Sequence, residues 1–176
     1  PYAPSNKFYS IGGAVNIADM GGRISVVAPN DGPSIVRNLF LQATGYNKTK
    51  AAQIGSRSAL NADRGDVVTL SIEFGNVGTT ALTNVKLANV LPAYLAYVPG
   101  SMKVKVDGSV ISTGDNVITD GVRLGDMRVG ATGSIVFDAQ VKNDTPENVT
   151  QLSYKATGNA DGIAQVASIV SINLGG

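Results

Sequence analysis

The feature that most constrains the fold is an alternation of apolar and polar residues with a period of two, which recurs along most of the chain. Successive side chains of a β-strand point to opposite faces of a sheet, so this period predicts strands with one buried face. The residues predicted to face the interior are Val68, Leu70, Ile72, Phe74, Ile135, Phe137 and Val141. Amphipathic helical periodicity is almost absent, and the one helical candidate is the segment from Lys50 to Leu60.

Turn signals divide the alternating segments into short strands. Val104 and Val106 lead into Asp107-Gly108, a dipeptide favoured in tight hairpins, and a return strand follows from Val110. Signals of this kind recur about every 8–12 residues from Asp63 onward, which is typical of a two-sheet sandwich. The sequence therefore predicts an all-β protein with an immunoglobulin-like antiparallel β-sandwich over residues 63–176.

The first 62 residues differ in character from the rest. Residues 21–62 contain two apolar runs, Arg23–Ala28 and Ile35–Thr44, which we interpret as extra N-terminal strands packed on the sandwich. Residues 1–20 form an N-terminal β-arm that carries larger side chains on one face and small or polar ones on the other. The first of these faces comprises Tyr9, Ile11, Gly13, Val15 and Ile17.

The arm has the pattern of a strand, and a strand needs a sheet edge as its partner. If the edge belongs to the same molecule, the arm is an ordinary first strand. If it belongs to a neighbour, each copy donates a strand to the next, and such a head-to-tail contact propagates a homopolymer. The second interpretation makes the five residues of the larger face a subunit interface.

Composition excludes several classes of function. The chain has no cysteine and no histidine, so disulfides, thiolate sites and the commonest general base and metal ligand are absent. We therefore predict no enzyme activity, no catalytic residues, no metal and no cofactor. The net charge of +1 is scattered rather than clustered, which predicts no nucleic-acid binding.

The sequence also favours an exported protein. No apolar run approaches the roughly 20 residues of a membrane span, so no span is predicted. The sequence starts at Pro1 rather than methionine, which we interpret as the result of export-signal removal. The predicted location is secreted, extracellular or on the cell surface.

Three segments of the chain resemble a known family. They are GDVVTLSIEFGNVGTTALTNVKLANVLP from Gly65, AYLAYVPGS from Ala93, and LGDMRVGATGSIVFDAQV from Leu124. Over residues 64–142 the chain is similar to the "conserved repeat domain" family of bacterial and archaeal surface proteins, a domain of unknown function. The resemblance implies an immunoglobulin-like spacer, adhesive or wall-associated module without catalysis. Asn89 departs from the family, which commonly has aspartate at that position.

Several short motifs have structural as well as functional interpretations. Arg64-Gly65-Asp66 matches an integrin-type tripeptide, but a Gly-Asp turn entering a strand explains it better. Asn47 and Asn148 head sequons and are the candidate glycosylation sites. A Lys–Asn isopeptide bond requires a buried carboxylate, whereas the alternation places Glu73 and Asp138 on polar faces.

Two functions fit these observations. The first is a structural subunit of an extracellular filament or surface layer, assembling by strand donation from the arm into a neighbouring copy. The alternative is an adhesive or spacer module of a larger cell-surface protein, with a glycan as a candidate ligand. The arm favours the first, and the small number of aromatic residues, with no tryptophan, weakens the second.

Overall fold

The computed structural model describes residues 34–50 and 56–175. The arm of residues 1–20 and the predicted strand Arg23–Ala28 lie outside the described residues. The chain divides into two compact units, Pro1–Ile35 and Val36–Gly176, and the second contains every element described below.

Eleven strands and one helical turn make up the described part of the second unit. In chain order they are β1 (Leu39–Asn47), β2 (Ala59–Ala62), β3 (Val67–Asn76), β4 (Leu82–Val90), β5 (Leu95–Tyr97), β6 (Lys103–Val106), β7 (Ser109–Ser112), α1 (Val117–Asp120), β8 (Val122–Met127), β9 (Thr132–Val141), β10 (Gln151–Asn159) and β11 (Val166–Leu174). The first sheet has the order β1-β3-β9-β6-β7, with β5 also paired to β9, and the second has the order β2-β11-β10-β4-β8. The predicted all-β sandwich is confirmed.

The alternation predicted from the sequence sets the register at the centre of the first sheet. The β3 and β9 strands pair antiparallel, with Ile135 opposite Ile72 and Phe137 opposite Leu70. All seven residues predicted to face the interior are buried, with at most 2% of their surface exposed. Glu73, on the opposite parity, is exposed. A slip of one residue would have reversed these faces, so the predicted register is confirmed.

The aromatic centre of the core lies between the two sheets. The Phe137 ring, from the first sheet, is 5.6 Å from the ring of Tyr154, from the second, in an edge-to-face arrangement. The Tyr154 side chain is fully buried and its hydroxyl donates a hydrogen bond to Asn89 Oδ1. Asn89 Nδ2 donates in turn to the Val117 carbonyl at 3.3 Å. Asn89, the residue that differs from the repeat-domain pattern, therefore accepts the hydrogen bond of the buried Tyr154 hydroxyl. Burial raises the pKa of this hydroxyl.

The predicted hairpin is confirmed. The β6 and β7 strands pair antiparallel around Asp107 and Gly108, whose φ angles are 50° and 85°. Positive φ at both central residues defines the turn whose twist matches the flanking strands, and this explains the Asp-Gly dipeptide.

Two elements differ from the sequence-based expectation. The predicted strand Ile35–Thr44 is observed as Leu39–Asn47. The described residues of the helical candidate Lys50–Leu60 include Ala59 and Leu60 in β2, so the helix prediction is wrong at that end. The β2 strand, which lies in the segment predicted to supply extra N-terminal strands, pairs parallel with β11 of the sandwich. Leu60 is 2% exposed, and burial of this side chain outweighs the weak helical propensity of its segment.

Candidate assembly surface

The residues predicted to form the donated strand precede the described part of the chain. Tyr9, Ile11, Gly13, Val15 and Ile17 all lie outside the described residues, and their role stays a prediction. The structure does describe the surfaces that a donated strand needs, which are the free edges of the two sheets. The sheet orders end in β1 and β7 in the first sheet and in β2 and β8 in the second, and the three-residue β5 also pairs only with β9.

The side of the sandwich formed by β1 and β2 is closed by hydrogen bonds. Gly45 and Arg57 exchange two backbone hydrogen bonds of 2.8 Å each. Further along β1, the Ala43 backbone N–H donates to Ser168 Oγ, on β11 of the other sheet, at 2.9 Å. The outer backbone groups of β1 are therefore partly occupied by partners within the same unit.

The opposite side, formed by β7 and β8, is open. Within residues 34–50 and 56–175, β7 pairs only with β6, and β8 pairs only with β4. The outer edge of each strand therefore has no neighbouring strand in this part of the chain. Such an edge is a template for pairing with another segment.

An apolar groove of about 510 Å³ runs between these two open edges. Val106 and Ile111 line it from the hairpin, Leu124 and Met127 line it from β8, and Ala81 and Ala131 also contribute. The charged residues Asp107, Asp126 and Arg128 complete the lining. Met127 is buried, Leu124 is half-buried, and Ile111 is 50% exposed. The two sheets therefore leave apolar core surface uncovered on this side.

Irregularities in both edge strands shape the groove. In β7, Ser112 lies opposite Val104 and Val110 lies opposite Lys105, so Ile111 is an extra, bulged residue. The bulge directs the Ile111 side chain to the groove, in which it is one of the lining residues. The β8 pairing also shifts register, and Gly125 there has a φ of 71°. Bulged edges pair poorly with arbitrary strands, which restricts the partners that this side accepts.

One ion pair lies at the rim of the groove. Arg128 Nη2 is 3.1 Å from Asp107 Oδ2, which joins the segment after β8 to the turn of the β6–β7 hairpin. The second carboxylate oxygen of Asp107 accepts a hydrogen bond from the Thr132 backbone N–H at 3.1 Å. Arg128 is well exposed, so the pair contributes little to stability. This ion pair lies at the polar edge of the otherwise mainly apolar groove.

The integrin-type tripeptide is part of the sandwich framework. Arg64 Nε donates to the Thr145 carbonyl at 2.6 Å, and Nη2 donates to the Pro146 carbonyl at 2.5 Å. Gly65 has a φ of 90° in the turn that leads into β3, as the turn interpretation predicts. Asp66 is 8% exposed. Both charged side chains thus face partners within the molecule.

Asn47, which the sequence indicated as a candidate glycosylation site, is buried in the folded domain. The residue is 1% exposed, and its Nδ2 donates to Asp66 Oδ2 at 2.8 Å and to the Asn61 carbonyl at 3.1 Å. A glycan on this nitrogen would replace one of its two N–H donors, so at least one of these bonds would be lost, and a residue that is 1% exposed leaves no room for a sugar. The sequence motif carries no information on burial, so glycosylation of Asn47 stays a prediction that its burial disfavours. Asn148 is exposed and stays a candidate.

The hydrogen bonds around Asp66 hold it ionised. Burial raises the pKa of this carboxyl, but hydrogen bonds from the Asp63 N–H and Asn47 Nδ2 and the nearby Lys50 ammonium outweigh that effect. The pKa of Asp66 therefore lies below its ordinary value. Its role is to anchor the start of β3 against the end of β1.

The two carboxylates considered for an isopeptide bond lie on the polar outer face, as predicted. Glu73 is exposed. Asp138 accepts a hydrogen bond from Thr69 Oγ1 at 2.8 Å and forms a 2.7 Å ion pair with Lys48. The hydrogen bond to Asp138 raises the pKa of Lys48, which keeps the amine protonated and non-nucleophilic. This is an ordinary surface ion pair.

Neither a cluster of metal-ligating side chains nor a membrane-spanning helix is found among the described residues. Within residues 34–50 and 56–175, no three acidic, histidine or cysteine side chains cluster as metal ligands would. In the same ranges, no helix has the length and apolar character needed to cross a bilayer.

Comparison with known proteins finds solved structures that are similar to this chain. No family model and no curated protein sequence matches the chain. The major pilin subunit BcpA of Bacillus cereus matches in structure with a TM-score of 0.55 at 15% identity, over 78% of this chain and 40% of that one. The pilus backbone RrgB of Streptococcus pneumoniae matches with a TM-score of 0.45 at 19% identity, over 69% of this chain and 52% of that one.

The match to the pilin is a similarity of fold. At 15% identity the pilin match shows that the chain has the immunoglobulin-like β-sandwich architecture of that protein. The chain spans less than half the length of the pilin it matches.

Proposed function

We propose that this chain is a structural subunit of an extracellular filament or surface layer, in which residues 1–20 of one copy add as a strand to the sandwich of the next. The observation that carries the proposal is the open side of the sandwich. There both sheets end in strands that lack an outer neighbour in the described chain, with apolar core surface between them. An added strand would pair the main-chain groups at the edge and would cover the apolar surface, and both changes stabilise the sandwich.

Three further observations support this function. The fold is shared with a pilin subunit of Bacillus cereus. The repeat-domain resemblance over residues 64–142 belongs to proteins of bacterial and archaeal surfaces. The absence of cysteine and histidine from the whole sequence fits a structural protein at the cell surface or outside the cell, with no enzymatic role.

A second function is favoured by one observation on the outer face of the first sheet. A depression of about 350 Å³ lies over Gly75 and Gly133, and Phe40, Lys105 and Ser134 are among its lining residues. Phe40 is 42% exposed, so an aromatic side chain borders polar groups in a concave surface. This arrangement suits an adhesive module that binds a sugar ring. Phe40→Ala should then remove binding to a glycan array while leaving assembly unchanged.

The filament proposal predicts that deletion of residues 1–20 abolishes assembly. The truncated chain should elute as a monomer in size-exclusion chromatography with light scattering, and negative-stain microscopy should show no filaments. Its melting temperature should lie below that of the assembled chain, because no donated strand then covers the apolar surface between β7 and β8. A synthetic peptide of residues 1–20 should bind the truncated chain one to one.

Two point variants of the full chain provide the matched comparison. Ile11→Asp places a charge on the larger-residue face of the arm and should prevent assembly. Asn16→Asp places the same charge on the opposite face and should leave assembly intact. Filaments that form normally from the truncated chain, or from the Ile11 variant, would contradict strand donation.

A further inference from the structure

We propose that the donated arm of a neighbouring copy lies along Val122–Met127 (β8), as a sixth strand of the second sheet, with its apolar side chains in the groove between Ile111 and Leu124. This proposal rests on the filament function above and specifies where the strand is received.

The choice of β8 follows from comparison of the free edges. The β1 edge is already bridged by Arg57 and Ser168. The β7 strand has only four residues, and its pairing with β6 includes the bulge at Ile111. The β8 pairing with β4 also shifts register, at two places, so length rather than regularity distinguishes the two edges. The β8 strand has six residues, or about 20 Å at roughly 3.3 Å per residue. It is therefore the longer of the two edges that flank the groove.

The side chains on β8 indicate which face the arm must cover. Val122 and Leu124 are half-buried, and Arg123 between them is exposed. Apolar residues on the core side of an edge strand stay partly exposed to water when no further strand lies beside them. Across the groove, Ile111 is 50% exposed and belongs to the other sheet. One strand beside β8 would cover all three apolar residues.

The arm fits this surface in length and pattern. Residues 9–17 alternate for nine positions, or about 30 Å, which is enough to span β8 and extend past it. Tyr9, Ile11, Val15 and Ile17 share one parity and would point into the groove. Gly13, at the centre of that parity, would allow the main chain to pass close to the bulged part of β8 around Gly125.

A cysteine scan tests the position and face of the arm directly, because the native chain contains no cysteine. Leu124→Cys is combined in turn with a single cysteine at each position from Tyr9 to Ile17, and assembled samples are oxidised. Disulfides need Cβ atoms about 3.5–4.5 Å apart, so only cross-strand neighbours on one face react. We expect crosslinks at one or two neighbouring positions of the odd-numbered parity and none at even-numbered positions.

The crosslinked products also report which copy donates the arm. Head-to-tail donation should give a ladder of covalent oligomers on a denaturing gel. A covalent monomer would show that the arm pairs within its own molecule, and it would overturn the proposal. Crosslinks at even positions, or none at any position, would also overturn it. Val110→Cys in place of Leu124→Cys is the control for chance contact and should give no ladder.

Charge substitutions on the hairpin provide a second, non-covalent readout. Ile111→Lys places an ammonium in the groove, whereas Val110→Lys places one on the outer face of the same strand at nearly equal exposure, 51% against 50%. We expect Ile111→Lys to reduce assembly at least tenfold in sedimentation assays and Val110→Lys to leave it unchanged. Equal assembly of the two variants would rule out this groove. If deletion of residues 1–20 still abolished assembly, strand donation would stand with a different acceptor.

Discussion

Phe137→Ala should lower the free energy of unfolding by about 3–5 kcal/mol, the range for truncation of a buried aromatic residue. Phe137 is fully buried and lies between the rings of Tyr97, at 5.9 Å, and Tyr154, at 5.6 Å. Truncation leaves a cavity that both sheets border and removes both ring contacts. Urea unfolding followed by tyrosine fluorescence measures the change in midpoint.

The matched control for this substitution is Phe40→Ala. Phe40 lies on the outer face of the first sheet and is 42% exposed, so its truncation should cost less than about 1 kcal/mol. Similar losses for the two variants would show that the described interior and exterior of the first sheet are misassigned.

Gly133→Ala should be the next most damaging change, with a loss of about 1–3 kcal/mol from overpacking. A Cβ at this position would lie 2.4 Å from the Lys105 carbonyl oxygen and 2.4 Å from the Phe74 ring. Gly133 lies opposite Phe74 in the β3–β9 ladder, so its missing side chain makes room for that ring. Backbone atoms of β6 would have to move to admit a methyl group.

Gly75→Ala is the control on the opposite face of the same sheet. Its nearest contact would be the Ala131 carbonyl oxygen at 3.2 Å, which a small shift relieves. Replacing glycine by alanine also reduces the entropy lost on folding by roughly 0.5–1 kcal/mol, which offsets the crowding. Thermal melts should therefore place the Gly75 variant near the wild type. A Gly133 variant as stable as the Gly75 variant would contradict the close packing of Phe74.

The centre of the fold could be predicted from the sequence because its signals are local and periodic. Alternation over β3 and β9 assigned Phe74 and Phe137 to the interior, since a strand pattern of period two has only two phases. Asp107-Gly108 fixed the hairpin, because few dipeptides adopt two consecutive positive φ angles. These features depend on residues within a few positions of one another.

The remainder of the fold depends on contacts between distant residues. The β2 strand has four residues and exists because Leu60 packs into the core and the main chain pairs with β11, more than 100 positions away. The helical turn α1 is held by the Asp120 N–H to Asn116 carbonyl bond and by burial of Val117. Neither element has a periodic pattern long enough to be recognised.

The candidate site likewise has one part that the sequence shows and one part that depends on contacts between distant residues. The arm is visible as an alternation in the sequence, but the surface proposed to receive it is not. Ile111 lies in the groove because a bulge changes its direction, and Leu124 lies there because β8 is the last strand of its sheet. The local feature that could have indicated this edge is the pair of adjacent apolar residues, Val110 and Ile111, on a short strand directly after a tight turn. The order of the strands determines which edges are free, and this order cannot be inferred from the local sequence pattern.

Electron cryomicroscopy of the assembled protein is the most direct test of strand donation. At a resolution that separates β-strands, we expect one additional strand beside Val122–Met127 in every subunit, with main-chain density that continues into the neighbouring subunit through its residues 21–35. Side-chain density at alternate positions should fill the groove between Ile111 and Leu124. Subunits that contact one another only through their outer faces, with this groove open to solvent, would contradict assembly by strand donation.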